Sequence, residues 1–399
     1  MDSPSPPPRG DHRDDAPVVH LLHKLLADAV ALGASDVHIE PFEHVCRVRL
    51  RIDGVLHEMP PPPLSLKTKL SARIKILAQL DIAERRLPQD GKMRVTLDHG
   101  RRVDLRVSTL PTQFGEKVVL RVLDGAPAAL AVDQLGYEPA QQKALLQAIR
   151  KPHGLVLMTG PTGSGKTVSL YACLQLLNRP GVNIATAEDP VEINLPGVNQ
   201  VSINERAGLD FAAALRAFLR QDPDVLMVGE IRDLDTADIA VKASQTGHLV
   251  LSTLHTNDAP ATLTRLLNMG IPAFNIASSV TLIVAQRLVR KLCDCRQPLT
   301  LAPELLHRAG FCEADTAAGP TLFKPRGCSQ CNQSGYRGRT GLYQVMPISP
   351  GIEQLILANA SAQDLARQAR GEGIIDLRRA GLLKVLRGQT SLREVLACT

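Results

Sequence analysis

The chain has no tryptophan, and aromatic residues make up only 3% of its 399 positions. Proteins that hold single-stranded nucleic acid stack the bases on aromatic rings, so nucleic acid is not expected as a partner. No apolar run reaches the roughly 18 residues that a membrane span requires. The start, Met1-Asp-Ser-Pro-Ser-Pro-Pro-Pro8, has no apolar segment of a secretory signal. These absences lead to the expectation of a soluble, cytoplasmic protein. Cysteine is also sparse. Eight thiols scattered over the chain are too few for a disulfide scaffold and suit a reducing compartment. What is present is 44% hydrophobic residues, enough for buried cores in about two or three domains. The net charge of +6 reads as a solvated basic face or an affinity for an anionic surface.

One segment carries most of the chemical information. Gly160-Pro161-Thr162-Gly163-Ser164-Gly165-Lys166-Thr167 is a complete G-x-x-x-x-G-K-[ST] phosphate loop. An apolar strand, Leu155 to Met158, runs into it, and an apolar helical stretch, Val168 to Leu177, runs out. Nucleotide phosphates are anionic and strongly hydrated, so they need many donors at close range. Glycines let the backbone wrap the β-phosphate with N–H groups. The helix start adds its dipole, and Lys166 reaches the β- and γ-phosphates. Thr167 offers a hydroxyl to Mg²⁺. The segment binds ATP or GTP.

Residues 1–17, rich in Pro, Ser and Asp, are expected to form a disordered tail. A small α+β domain is expected over 18–123. It starts with an amphipathic helix, and a strand follows in which Cys46, Val48, Leu50 and Ile52 alternate with Arg47, Arg49 and Arg51. Asp53-Gly54 and His99-Gly100 mark hairpin turns. A short linker is expected over 124–133. From 134 to 399, helices alternate with short apolar strands at 155–159, 183–187, 225–228 and 248–253, which indicates an α/β domain with a parallel sheet. Beyond Ala259 the chain reads as mostly helical, interrupted by a cysteine-bearing insertion at 293–331.

Strands of such a sheet bring their C-terminal ends to the edge that carries the phosphate loop. The strand 183–187 leads into Glu188, Asp189 and Glu192, and the strand 225–228 leads into Glu230. Glu188, Asp189 and Glu230 are expected to converge near the γ-phosphate, with Glu188 the first choice for polarising the attacking water and Glu230 for Mg²⁺. A third strand ends at His255, a candidate γ-phosphate sensor. Cys293-x-Cys295 and Cys328-x-x-Cys331 can close a tetrahedral Zn²⁺ site, although C-x-C is tighter than usual, and Cys312 is a spare ligand.

The run Leu215-Arg-Ala-Phe-Leu-Arg-Gln-Asp-Pro-Asp-Val-Leu-Met-Val-Gly-Glu-Ile-Arg-Asp233 resembles the secretion ATPases of type II secretion and type IV pilus assembly. Ala34-Ser-Asp-Val-His-Ile-Glu40, Ala185 to Glu192, Gly247 to Asn257, Ala285 to Cys293 and Gly335 to Gly341 are similar to further segments of that family, so the resemblance covers about residues 20–398. It implies a RecA-like ATPase domain behind a PAS-like N-terminal domain, and a homohexameric motor. The motor would hydrolyse ATP with Mg²⁺ to drive pilus or pseudopilus assembly. It would sit in the cytoplasm, peripherally on the inner membrane, and work with a membrane platform protein and anchored assembly components. Arg106 and Arg121 fit the positions from which the N-terminal domain of this family completes the ATP site. A retraction ATPase, which typically lacks the four cysteines, and a nucleic-acid translocase on a similar core are the alternatives. Set against that family, the chain is expected to be without the long N-terminal extension of many relatives, and it departs from the pattern in the C-x-C pair and in Gln344, where relatives commonly carry Glu.

Overall fold

Alternation of Cys46, Val48 and Leu50 with three arginines makes a strand with one wet face. In the computed structural model those three apolar side chains are at most 2% exposed. The structure describes residues 16–97, 100–123, 131–317 and 319–399. It comprises two units, Met1–Asp124 and Gly125–Thr399. Most of the expected tail (1–17) and linker (124–133), and His99 of the second hairpin turn, lie outside the described residues.

The first unit runs α1 (Ala16–Ala31), β1 (Ala34–Pro41), β2 (Cys46–Ile52), β3 (Val55–Met59), α2 (Lys67–Leu77), β4 (Gln89–Thr96), β5 (Arg102–Thr112) and β6 (Gly115–Leu123). The strands form one antiparallel sheet in the order β3-β2-β1-β6-β5-β4. On α1, Val18, Leu22, Leu26 and Ala29 recur at helical spacing, and they pack with Leu70 and Ile74 of α2 against one sheet face. Strand β1 does not stand out by alternation because its polar positions are also largely buried. Asp36 and Glu40 are 7% and 6% exposed. Glu40 is held by Arg47 at 3.2 Å, Arg49 at 2.9 Å and Lys117 at 3.0 Å, the pairing that a buried carboxylate needs.

The second unit begins with α3 (Pro139–Ile149), β7 (Gly154–Thr159), α4 (Lys166–Leu177), β8 (Ile184–Glu188) and β9 (Asn199–Ser202). It continues with α5 (Phe211–Phe218), β10 (Val225–Val228), α6 (Leu234–Gln245), β11 (Leu249–Leu254), α7 (Ala259–Asn268), α8 (Ala273–Ser279) and β12 (Val280–Leu292). After these come β13 (Gln297–Leu299), α9 (Pro303–Ala309), α10 (Glu313–Thr316), β14 (Leu322–Lys324) and β15 (Tyr336–Pro347). Helices α11 (Pro350–Leu357), α12 (Ala362–Gly371), α13 (Leu377–Leu386) and α14 (Leu392–Cys398) close the chain.

The main sheet has the order β15-β12-β7-β11-β10-β8-β9. It is parallel from β12 to β9, with β15 antiparallel at its edge. Successive side chains of β7 serve opposite faces. Leu155 and Leu157 join the core under α5, α6, α7 and α8, whereas Val156 and Met158 join the one under α3 and α4. A strand covered on both sides reads as a continuous apolar run. Helices do fill much of the chain beyond Ala259, but β12 and β15 are long strands there. Leu282 to Ala285 is buried on both faces, and periodicity cannot tell such a run from a buried helix. The insertion forms the small β13–β14 sheet, and its Leu306, Phe311 and Leu322 share a core with Leu382, Val385 and Val395.

Candidate functional site

The centre of the site is the turn between β7 and α4. Gly160 and Gly165 have φ of 150° and 88°, where side chains other than hydrogen are strained. A Cβ on Gly165 would also come within 2.8 Å of Gln286 Nε2. Gln286 is buried and braces the loop: its Nε2 donates to Ser164 O at 2.7 Å, and its Oε1 accepts from Ser169 Oγ at 2.9 Å. Pro161, Thr162 and Gly163 form the exposed crest, and the Ser164 hydroxyl is buried without a partner among the described residues. Lys166 folds back under the crest, and Nζ donates to Gly160 O at 2.8 Å and Pro161 O at 3.1 Å. Burial lowers its pKa to about 8, with Glu230 opposing that shift and Arg287 adding to it. Thr167 follows in the first turn of α4.

Sheet order then sets what surrounds the loop. The strand ends lie in the sequence β7, β11, β10, β8, so the loop, His255, Glu230 and Glu188 follow one another along a single edge. Glu230 is partly exposed. Its Oε1 accepts from Arg232 Nε at 2.6 Å, and its Oε2 lies 3.1 Å from His255 Nε2. Arg232 also reaches Asp189 Oδ2 at 3.3 Å, so Asp189, Arg232, Glu230 and His255 form one chain of polar contacts. Glu188 differs from them. It is 4% exposed, Oε2 accepts from the Tyr171 hydroxyl, and Oε1 accepts from Thr186 Oγ1 at 2.6 Å and Gln200 Nε2 at 3.1 Å. The three carboxylates share an edge, but Glu188 turns into the protein while Glu230 and Asp189 face out. Gln344 is buried, and its Oε1 accepts from the Ala259 N–H at the start of α7, at 3.0 Å.

The four cysteines of the insertion meet. Their sulfurs all lie within 4.8 Å of one another. Individual separations are 3.8 Å for Cys293–Cys328, 3.9 Å for Cys295–Cys331 and 3.6 Å for Cys328–Cys331. A tetrahedral metal with bonds of about 2.3 Å to sulfur has S···S edges of about 3.8 Å, so this thiol cage has the right size. Burial works against a Cys331 thiolate, but N–H groups of Cys328 and Gly335 donate to it at 3.1 and 3.2 Å. The balance holds it down to about 6. Cys312 is exposed and bonded to Asp315.

Within the first unit, Arg106 and Arg121 are direct cross-strand neighbours on β5 and β6. The row continues with Lys92 beside Arg106, Asp36 beside Arg121, and Arg51 beside Asp36. Asp36 bonds Arg121 at 3.1 Å. Like charges opposite each other are unfavourable, and Asp36, paired with Arg121 and 3.8 Å from Arg51, offsets part of that repulsion.

Sequence reasoning missed Gln286, Arg232, Tyr171 and Gln200. Gln286 follows a buried apolar run, and Arg232 follows a carboxylate at a strand end, which are weak but usable signals. Nothing local marks Tyr171 or Gln200 as partners of Glu188.

A family model described as "Type II/IV secretion system protein" matches residues 11–397. The type IV pilus assembly ATPase PilB of Pseudomonas aeruginosa is 55% identical over 383 residues, covering 96% of this chain and 67% of that protein. The type II secretion system protein E of the same organism is 49% identical over 395 residues, covering 98% and 77%. The chain thus spans about two thirds of the length of the pilus assembly relatives it matches, 67% and 66% in two of them. Among solved structures, the Legionella pneumophila ATPase DotB superposes with a TM-score of 0.69 at 19% identity over 95% of each chain. The pilus retraction motor PilT with bound ADP gives 0.63 at 24% identity, covering 95% of this chain and 96% of that one. These two likenesses establish the fold.

Proposed function

The chain belongs to the type II/IV secretion system protein family, and from that membership we propose that it is a motor ATPase. Its hydrolysis of ATP would drive assembly of a type IV pilus or a type II pseudopilus. The observation that carries this reading is the braced phosphate loop at one sheet edge with Glu230, Asp189 and His255. The four-cysteine cluster favours assembly over retraction, since retraction motors typically lack it. Zinc is the metal proposed for that cluster, because an all-thiolate tetrahedral set suits it. Its role there is to pin the insertion.

Loop N–H groups and Lys166 hold the phosphates, which requires Lys166 Nζ to leave the carbonyls of Gly160 and Pro161. Thr167 is a hard oxygen donor, the kind Mg²⁺ takes, and would hold it, with Glu230 ordering the waters around it. Magnesium supplies positive charge against the phosphate oxygens when bound. We assign the proton of the attacking water to Glu230 rather than to Glu188. A base needs a free lone pair within reach of water. Glu230 is partly exposed, whereas Glu188 is buried and receives three hydrogen bonds. Glu188 positions the end of β8, and with it Asp189. Arg106 and Arg121 are proposed to act on the nucleotide phosphates, which the cation row of the first unit supports. Working as a homohexamer on an inner-membrane platform protein, from the cytoplasmic side, belongs to the same proposal.

Lys166→Ala tests the reading. The loop glycines and Gln286 remain, so the purified protein keeps its fold. ATP turnover falls to a small fraction of wild type, and near-normal turnover refutes the proposal.

A further inference from the structure

A second basic concavity lies away from the phosphate loop. It is bounded by the end of β12, the start of β15 and the end of α13, and has a volume of about 470 Å³. Lys291, Arg296, Arg337, Lys384 and Arg387 line it, with Asp294 its single lining carboxylate. Arg387 is already paired with Glu138 at 2.7 Å. Among the described residues, no carboxylate comes within ion-pair distance of the other four cations. Arg296 lies over the Phe323 ring at 4.9 Å. Lys384 is 3% exposed, and its Nζ donates only to neutral oxygens, Gly136 O at 2.6 Å and Thr340 Oγ1 at 3.1 Å.

Such a cluster is unfavourable without a counter-ion. Neighbouring cations repel, and a buried ammonium loses hydration that neutral acceptors replace only in part. Burial accordingly lowers the Lys384 pKa to about 8, against the pull of Glu138. Arginine forks and lysine ammonium groups together are the donor set that recognises phosphate oxygens. The volume is within the range of small-molecule sites. The cavity is not part of the nucleotide site: Gln286, which braces the phosphate loop, and Lys291 are five positions apart on β12, about 16 Å along an extended strand.

We propose that this cavity is a binding site for a phosphate-bearing anion, taken either as a free phosphate compound or as a lipid headgroup. The ligand supplies the negative charge that Lys291, Arg296, Arg337 and Lys384 lack.

The test uses the full chain saturated with ADP and magnesium, so that the phosphate loop is filled. Inorganic pyrophosphate is then titrated calorimetrically, and vesicles of phosphatidylglycerol are compared with vesicles of phosphatidylcholine by co-sedimentation. Lys291 and Arg337 are both exposed, so Lys291→Ala with Arg337→Ala leaves the core intact. Wild type binds at least one of the two anionic probes. The double variant weakens that binding at least about tenfold, with ADP affinity unchanged, and the charge-keeping Lys291→Arg with Arg337→Lys restores most of it. Pyrophosphate binding identifies a free anion, and binding of phosphatidylglycerol vesicles alone identifies a headgroup. Binding of neither probe by wild type, or equal binding by wild type and the alanine variant, overturns the proposal.

Discussion

Exchanging each carboxylate of the site for its amide separates positioning from proton transfer. In Glu188→Gln the new side chain keeps one oxygen for Thr186 and Gln200, but presents an NH₂ group to the Tyr171 hydroxyl, which Glu188 Oε2 now accepts from. The hydroxyl can rotate to accept instead, so the loss is close to one hydrogen bond to a charged group, about 1.5–3 kcal/mol. For a unit the size of residues 125–399 that amounts to a drop in Tm of roughly 3–5 °C. Turnover per folded molecule stays within about tenfold of wild type if Glu188 only positions β8. Glu230→Gln has the opposite profile. Glu230 is partly exposed, so Tm changes little, while kcat falls by about 10²–10⁴, the usual contribution of a general base. The assays are calorimetric melting and steady-state phosphate release at saturating ATP, with both variants in the same buffer. A Glu188→Gln protein that melts like wild type yet loses a hundredfold or more in kcat refutes the assignment and makes Glu188 the base.

Burial holds Lys166 at about 8 in the nucleotide-free protein, and bound phosphates favour its charged form. As pH rises through 8, binding must recover a lost proton, so ATP affinity should weaken about tenfold from pH 7 to pH 9. A fluorescent nucleotide measures this, and a flat profile counts against the Lys166 contact. Arg106→Ala removes one of two arginines opposed on β5 and β6, so stability should hold or rise by about 0.2–1 kcal/mol. In the same variant kcat should fall at least about tenfold, and an unchanged kcat excludes a catalytic role. Elemental analysis of protein purified without chelator should give about one zinc per chain. Cys328→Ser with Cys331→Ser should abolish it and open residues 293–331 to proteolysis while nucleotide affinity persists. Less than about a tenth of a zinc per wild-type chain would refute the metal.

Several features were readable from the sequence because neighbouring residues encode them. The glycines of 160–165 need unusual backbone angles, Lys166 and Thr167 follow them, and the apolar runs on either side have strand and helix character. The alternation in β2 and the paired cysteines are local in the same sense. By itself, therefore, the sequence determined the phosphate loop, the α/β character of the larger unit, and a four-cysteine motif of metal-ligand spacing. The tertiary structure decided which side chains meet. Glu188 and Glu230 both follow apolar strands and look alike in sequence, yet one is buried under Tyr171 and the other is joined to Arg232 and His255. The brace on the phosphate loop comes from Gln286, 122 residues from Ser164, and arises because β12 pairs beside β7. A side chain's neighbours along the chain set its backbone conformation. Its burial and hydrogen-bond partners depend on strand order, which long-range packing chooses and no short stretch of residues encodes.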